Sequence, residues 1–149
     1  AVRPLPSLPE PCPVRRRQRV AAALLTALLA AGCDGPTVEA PNEAFVALRD
    51  ASPAHVFQGT LAGQPVHLVA HDCEVFRIRA VRGTQVDWER VLAPEPYPFF
   101  TSCDRQSLVA EADGSVTATL GRMAFGAGGC CATGGTWRSR DGTTWTKTR

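Results

Sequence analysis

The feature that most limits the fold of this chain is a series of short strand signals, separated by turn residues, from residue 55 onward. They cover residues 55–61, 66–81, 86–92, 107–125 and 136–147, of which 66–81 is a strand pair or one bent strand. Alternation with a period of two puts one set of side chains on a buried face and the other in solvent. Short strands with frequent turns are typical of sandwiches and barrels. The sequence therefore predicts a mostly β fold, a small antiparallel β-sandwich or barrel.

One short helix is predicted ahead of the strands, over residues 41–52. Asn42 is a suitable N-cap and Glu43 suits the first turn. Pro53 then ends the helix, because proline cannot continue the hydrogen-bond ladder. The apolar residues that fall on one side of this helix are Ala44, Phe45, Ala47 and Leu48.

Two Asp-Gly pairs, at residues 113–114 and 141–142, predict hairpin turns. Loops of two and of three residues give registers that differ by one residue, and so place different side chains on one face. Matched apolar pairs contribute roughly 0.2–1 kcal/mol each, and they favour three-residue loops with Gly114 and Gly142 at positive φ. The predicted pairs are Leu108 with Ala118, Ala110 with Val116, Trp137 with Trp145 and Ser139 with Thr143.

A segment of a different kind precedes the β region. Residues 15–19 hold four arginines, and residues 20–32 form an apolar run of 13 residues. A membrane-spanning helix needs about 20 residues, so this run is too short to be a transmembrane anchor. A basic stretch, a short apolar run and small residues form the three-part layout of a secretory signal. The sequence therefore predicts a helical signal segment and export.

The end of this segment resembles the lipobox of bacterial lipoproteins, and the matching residues are Ala30, Ala31, Gly32 and Cys33. The resemblance implies that the Cys33 thiol is acylated with diacylglycerol and that cleavage before Cys33 makes it the N-terminus. The protein would then be held by this lipid at a membrane of the cell envelope, inner or outer. The alternative is an ordinary signal peptide that happens to end in cysteine.

The predicted domain organisation follows from these segments. Residues 1–32 are the precursor segment, residues 33–41 the lipid anchor and tether, and residues 42–149 a single small β domain. Val14 directly precedes the arginines, and a GTG start codon reads as valine within a longer frame. Residues 1–13 are therefore interpreted as an over-extended start.

The charge balance argues against a nucleic-acid partner. The whole chain has a formal charge of +2, but the precursor segment holds five of the arginines and one glutamate, which leaves 11 basic and 13 acidic residues from Cys33 onward. Because no basic patch remains for phosphate contacts, we expect no nucleic-acid binding.

Four cysteines follow Cys33, and an even number in an exported protein predicts two disulfides. A bond between Cys73 and Cys103 would leave Cys130 and Cys131 to bond each other. Adjacent Cα atoms lie about 3.8 Å apart, whereas disulfide Cα atoms lie about 4.4–6.8 Å apart. We therefore predict that Cys73 and Cys103 each bond either Cys130 or Cys131, with both such pairings open. The spacing does not fit a zinc site, and no metal or other cofactor is expected.

Residues 93–106 are predicted to form a loop of 14 residues, a length that is uncommon unless a loop is functional or mobile. Tyr97, Phe99 and Phe100 lie in it among prolines. Aromatic side chains supply contact area for binding, so this is a candidate binding loop. The alternative is that the three aromatic residues cover the end of a small core.

His67, His71, Asp72 and Cys73 are of metal-ligating types. On a strand, four residues span roughly 13 Å, too far for one ion with ligand bonds of about 2 Å, so a surface strand is favoured over a metal site. No serine stands in a G-x-S-x-G setting. An enzyme would need a cleft in which His67 or His71 meets Asp72 or another acid.

Two further stretches resemble known motifs. Residues 139–145, Ser-Arg-Asp-Gly-Thr-Thr-Trp, resemble the Asp-box of sialidase-like propeller blades but lack the residue between aspartate and glycine. The Asp-box is a structural hairpin, so the resemblance implies a turn and no glycosidase activity. Residues 126–130 resemble the glycine-cysteine corner of small envelope lipoprotein domains of the META type, with Cys131 where asparagine is usual.

Together these features predict a lipid-anchored cell-envelope protein with a binding or structural role. Its partners would be the membrane, through the lipid on Cys33, and an envelope protein or a small molecule. The alternative is an exported enzyme or an enzyme inhibitor.

Overall fold

Eight β-strands in two four-stranded antiparallel sheets dominate residues 39–126 and 131–148, the part of the chain that the computed structural model describes. Sheet A has the order β1-β2-β3-β4 and sheet B the order β5-β6-β7-β8. The strands are β1 Val56–Leu61, β2 Gln64–His71, β3 Glu74–Arg82, β4 Gln85–Leu92, β5 Thr101–Ala110, β6 Val116–Ala124, β7 Thr133–Ser139 and β8 Thr146–Lys147. The predicted mostly β class is confirmed, and the arrangement is sandwich-like rather than a closed barrel.

The two sheets share one apolar core. Leu68 and Val75 of sheet A and Val116 and Leu120 of sheet B are almost fully buried in it. Trp137 is buried in the same cluster, and Trp145 packs against it. Burying a large apolar side chain contributes about 1.5–3 kcal/mol, so this cluster holds the two sheets together.

The predicted helix is present as α1 Glu43–Arg49, followed by a single 3-10 turn, Pro53–His55. The Asn42 side chain accepts a hydrogen bond from the Phe45 backbone nitrogen, which makes it the N-cap. The same amide donates to the Val86 carbonyl and accepts from the Val86 nitrogen, at 2.9 and 3.2 Å. Asn42 therefore starts the helix and also pairs with the outer edge of β4.

The chain begins its described course at one end of sheet A. Thr84 and Gln85, at the β3–β4 turn, donate side-chain hydrogen bonds to the Glu39 and Ala40 carbonyls. The β2–β3 turn, Asp72-Cys73, lies between the paired residues at the other end of β3. Because the strands are antiparallel, these two turns mark opposite ends of the sheet.

The register prediction is confirmed for the first hairpin and wrong for the second. Leu108 pairs with Ala118 and Ala110 with Val116, as predicted. Trp137 pairs with Lys147 instead of Trp145, because side-chain hydrogen bonds replace the backbone ladder in the second turn. Both glycines have positive φ, +78° at Gly114 and +74° at Gly142.

The 93–106 loop is shorter than predicted, because β5 already begins at Thr101. The signal segment, Cys33, Cys130 and most of the 126–130 corner lie outside the described residues. In the part of the chain that is described, no helix is long and apolar enough to cross a membrane.

Candidate functional site

Two separate segments bring phenylalanines together at the end of sheet B where β5 begins and β6 ends. Phe99 and Phe100 precede β5, and Phe125 follows β6. Thr101 pairs with Ala124, and the Phe125 backbone nitrogen donates to the Phe100 carbonyl at 3.3 Å. We call Phe99, Phe100 and Phe125 the aromatic tip.

The side chains of the aromatic tip are largely in solvent. Phe99 is 72% exposed, Phe100 88% and Phe125 69%. Tyr97 lies edge-on to Phe99, with ring centroids 5.8 Å apart. Phe99 and Phe100 therefore do not cover the core, which was the alternative for this loop. The sequence analysis missed Phe125, although the register of the first hairpin, extended to residue 100, would have brought residues 125 and 126 beside it.

The sequence around the aromatic tip carries no charge. Residues 96–103 and 123–137 contain no Asp, Glu, Lys or Arg, and both stretches lead into the tip. The nearest ion pair of the β2–β3 turn joins Arg122 to Asp72 at 3.5 Å. This end of the domain is therefore apolar at its outermost point, and the nearby Arg122 is paired with Asp72.

The disulfide prediction is wrong for two of its cysteines, since Cys73 bonds Cys103. Their Cα atoms lie 5.3 Å apart, within the usual range, because the tight Asp72-Cys73 turn ends directly beside the start of β5. The Cys73 backbone nitrogen also donates to Gln106 Oε1 at 3.0 Å. Cys131 takes part in a disulfide as well, and Cys130 lies outside the described residues.

This disulfide fixes the aromatic tip to a defined end of the molecule. Cys103 is three residues from Phe100, and Cys73 belongs to the β2–β3 turn. The tip therefore lies at the end of sheet A that is opposite the β3–β4 turn, where Glu39 is bound.

A cleft of about 490 Å³ lies beside helix α1; we call it the helix cleft. His71 Nε2 is 3.9 Å from Glu43 Oε1 at its edge, and the His71 ring lies 5.8 Å from that of Trp88. The side chains that line the cleft are mostly apolar on the helix side, with two imidazoles and an amide opposite. The lining residues that carry polar side chains are Glu43, Asp50, His55, His71 and Gln106.

Gln106 determines which ring nitrogen of His55 carries the proton. Its Oε1 accepts the Cys73 N–H, so its Nε2 must be the group that donates to His55 Nδ1 at 3.3 Å. His55 Nδ1 is then the acceptor, and the proton of the neutral ring sits on Nε2. The sequence analysis did not single out His55 or Gln106, because their closeness depends on the packing of β5 against the 3-10 turn.

The helix cleft holds few of the parts that catalysis needs. Among the described residues that line it there is no serine, threonine or cysteine, so its lining offers no hydroxyl or thiol nucleophile. No group of three His, Cys, Asp or Glu that could hold a metal ion occurs in residues 39–126 and 131–148. His67 lies elsewhere on β2, and burial lowers its pKa. What the cleft can do chemically is bind a small molecule, or activate water through His71 beside Glu43.

Comparison of the chain with protein-family models, with curated proteins and with solved structures gives no match to any of them.

Proposed function

We propose that this protein is a lipid-anchored domain of a bacterial cell envelope and that it binds through the aromatic tip. The lipidated residue is Cys33, after cleavage of the signal segment at the lipobox of residues 30–33. The observation that carries the binding role is the high exposure of Phe99, Phe100 and Phe125 at one point of the surface.

The area of the aromatic tip supports an interaction surface. A buried aromatic side chain contributes about 150–250 Å², so three that are mostly exposed present on the order of 450 Å². The largest apolar patch on a typical monomer is about 300–600 Å² and is often functional. Other strongly exposed apolar side chains, such as Val81 and Val109, lie near the C-terminal ends of β3 and β5 and not among the residues of the tip.

The position of the tip fits an anchored protein. The lipid on Cys33 would precede Glu39, which is bound at the β3–β4 turn. The aromatic tip lies at the far end of sheet A from that turn. A domain held at one end and carrying its binding surface at the other keeps that surface clear of its own tether.

The anchor is tested by Cys33→Ser. We expect the variant to lose acylation and to become soluble or remain as precursor, while the β domain keeps its fold. A Cys33→Ser protein that is cleaved and still fractionates with membranes would contradict the lipid anchor.

The binding role is tested by photo-crosslinking in cells. A photo-reactive amino acid at position 100 should give a crosslinked product, to a protein or to a phospholipid, that mass spectrometry detects. The same amino acid at position 109, which is also exposed but lies within β5, is the matched control. A product that is absent at position 100, or identical at both positions, would overturn the binding role of the tip.

An exported enzyme is a second candidate, favoured by one observation, the contact of His71 with Glu43 in the helix cleft. With no hydroxyl or thiol among the described residues of the cleft, it would be a hydrolase that activates water through His71. Loss of a hydrolytic activity of the purified protein in His71→Gln, with retention in His67→Gln, would support it. Equal activity in the two variants would rule it out.

A further inference from the structure

We infer that the aromatic tip binds a lipid bilayer, which makes it a second membrane contact beside the lipid on Cys33. This inference rests on the proposed function, since it names what the tip binds. The observations that carry it are the composition of the tip, its area and the reach of the tether.

The composition of the tip suits the boundary between headgroups and acyl chains. Aromatic rings are enriched at that depth, where Phe99, Phe100 and Phe125 would insert and the Tyr97 hydroxyl would remain near the headgroups. Charged side chains resist insertion, and residues 96–103 and 123–137 carry none.

The charges nearest the β2–β3 turn do not oppose this contact. Arg122 is mostly buried. Its guanidinium pairs with the Asp72 carboxylate and also donates a hydrogen bond to the Asp72 backbone carbonyl. By contrast, the opposite end of the domain presents Arg82 and Asp87 as an exposed ion pair. Glu95, Asp104 and Arg122, charged residues that border the two uncharged stretches, lie outside the tip itself.

A second copy of this chain fits the aromatic tip less well than a bilayer does. A stable protein interface buries about 800 Å² on each partner, and the tip supplies on the order of 450 Å². A dimer through the tip alone would lack about half of the usual area. A bilayer has no such minimum, because each inserted ring contributes separately.

The tether decides how the domain can lie. Glu39 follows Cys33 by six Cα–Cα steps, which fully extended span at most about 22 Å. Strand β3, whose nine residues run from the β2–β3 turn to the β3–β4 turn, is about 27 Å long. The domain therefore cannot stand upright with its tip in the membrane that holds Cys33. It reaches that membrane with the tip by lying along the surface, so both ends of sheet A touch lipid.

The test uses the processed chain, residues 33–149, with Cys33→Ser so that no lipid is attached. The probe is vesicles of phosphatidylethanolamine and phosphatidylglycerol, and the readout is co-sedimentation. We expect the protein to bind, and the triple variant Phe99→Ser, Phe100→Ser, Phe125→Ser to partition about tenfold less. The control, Val109→Ser, removes an exposed apolar side chain elsewhere and should bind as the parent does. Binding should persist at high salt, because the contact is apolar rather than ionic.

Three results would overturn the inference. They are no binding of the parent chain to vesicles, an equal loss in the triple variant and the control, and a dimer in sedimentation velocity that the triple variant dissociates. Acylation of Cys33 is measured separately on the wild-type protein. A failed vesicle experiment therefore leaves the lipid anchor standing, and a failed acylation experiment leaves the vesicle result standing.

Discussion

The two Asp-Gly turns have the same sequence signal and different structures. In the first, residues 111–115, backbone hydrogen bonds close the turn. The Gly114 nitrogen donates to the Glu111 carbonyl at 3.1 Å, and the Glu111 nitrogen to the Ser115 carbonyl at 2.8 Å. The Asp113 carboxylate adds bonds from the Ser115 nitrogen and hydroxyl. This is the predicted three-residue loop, and it projects into solvent.

In the second turn, residues 139–145, side chains replace the backbone ladder. Ser139 Oγ accepts from the Gly142 nitrogen at 2.8 Å. Asp141 Oδ1 accepts from the Thr143 and Thr144 nitrogens at 2.8 and 2.7 Å. Strand pairing resumes only at Arg138 with Thr146. The loop is two residues wider on the β8 side than predicted.

The two turns show that the conformation of a glycine, and the face of the sheet on which a side chain lies, can be predicted from sequence even where the strand register cannot. A shift of two residues preserves alternation, so Trp145 still packs against the core although Lys147 has taken its place opposite Trp137. The turn itself is bound to sheet A. An added Cβ at Gly142 would lie 2.7 Å from Val66 Cγ1, whereas one at Gly114 would meet nothing within 4 Å.

Substitution of the two glycines by alanine should separate strain from crowding. Both have positive φ, which costs a side chain about 1–2 kcal/mol. Only Gly142 adds a clash, worth typically about 1–3 kcal/mol. We expect Gly142→Ala to lower the free energy of unfolding by about 3 kcal/mol and Gly114→Ala by about 1 kcal/mol, measured by urea denaturation. Equal losses would mean that the second turn does not pack on sheet A.

Removal of the two aspartates should show which turn depends on its side chains. Hydrogen bonds to charged groups contribute about 1.5–3 kcal/mol when protected, and less in solvent. We expect Asp141→Ala to lower the free energy of unfolding by about 2 kcal/mol and Asp113→Ala to lower it by clearly less, both measured by urea denaturation. Asp141→Asn, which keeps an acceptor oxygen, is the control and should fall between Asp141→Ala and the wild type. A larger loss at Asp113 would reverse the comparison.

Arg77 binds the second turn to sheet A, whereas the ion pairs of the first turn, Asp113 with Arg138 and Arg140, lie at the surface. Arg77 donates to Thr143 Oγ1 at 2.9 Å, whereas Arg138 lies 3.5 Å from Asp113. We expect Arg77→Met to cost about 0.5–1 kcal/mol and Arg138→Met less than about 0.5 kcal/mol. Thermal unfolding of the two variants side by side measures this difference, and a larger effect at Arg138 would count against the tie.

The smallest expected effect is the change in folding stability with pH near neutrality. The backbone N–H groups of Thr144 and Thr143 lower the pKa of Asp141 strongly, and bonds from Ser115 lower the pKa of Asp113. A carboxyl whose pKa is lower when folded stabilises the fold above its unfolded pKa, near 3.9, and loses that contribution as pH falls through the folded pKa. The stability gap between wild type and Asp141→Asn should therefore be constant from pH 7 to about 5 and shrink only in stronger acid. A gap that shrinks between pH 7 and 5 would contradict this linkage.

Local signals were enough for much of the fold. Asn42 before an apolar stripe predicted the N-cap of α1, and period-two alternation predicted the strands. The pairing of Cys73 with Cys103 could not be predicted, because it depends on the β2–β3 turn meeting the start of β5 in space. From spacing alone, the strain of a bond between adjacent cysteines favours the pairings that the structure rules out.

Only part of the candidate site could be predicted, because its other residues are brought together by contacts between distant segments. Tyr97, Phe99 and Phe100 stood out as aromatics among prolines, but sequence could not decide between exposure and burial. The roles of Phe125 and His55 depend on contacts with residues far along the chain, Phe100 and Gln106. Contacts between distant segments are what composition and spacing leave open.

The central claim, a lipid-anchored protein of the cell envelope, is tested most directly by mass spectrometry of the N-terminal peptide of the protein purified from membranes. The account predicts a peptide that begins at Cys33 and carries a diacylglyceryl group on its sulfur. A mature N-terminus at any other residue, or an unmodified Cys33, would contradict it.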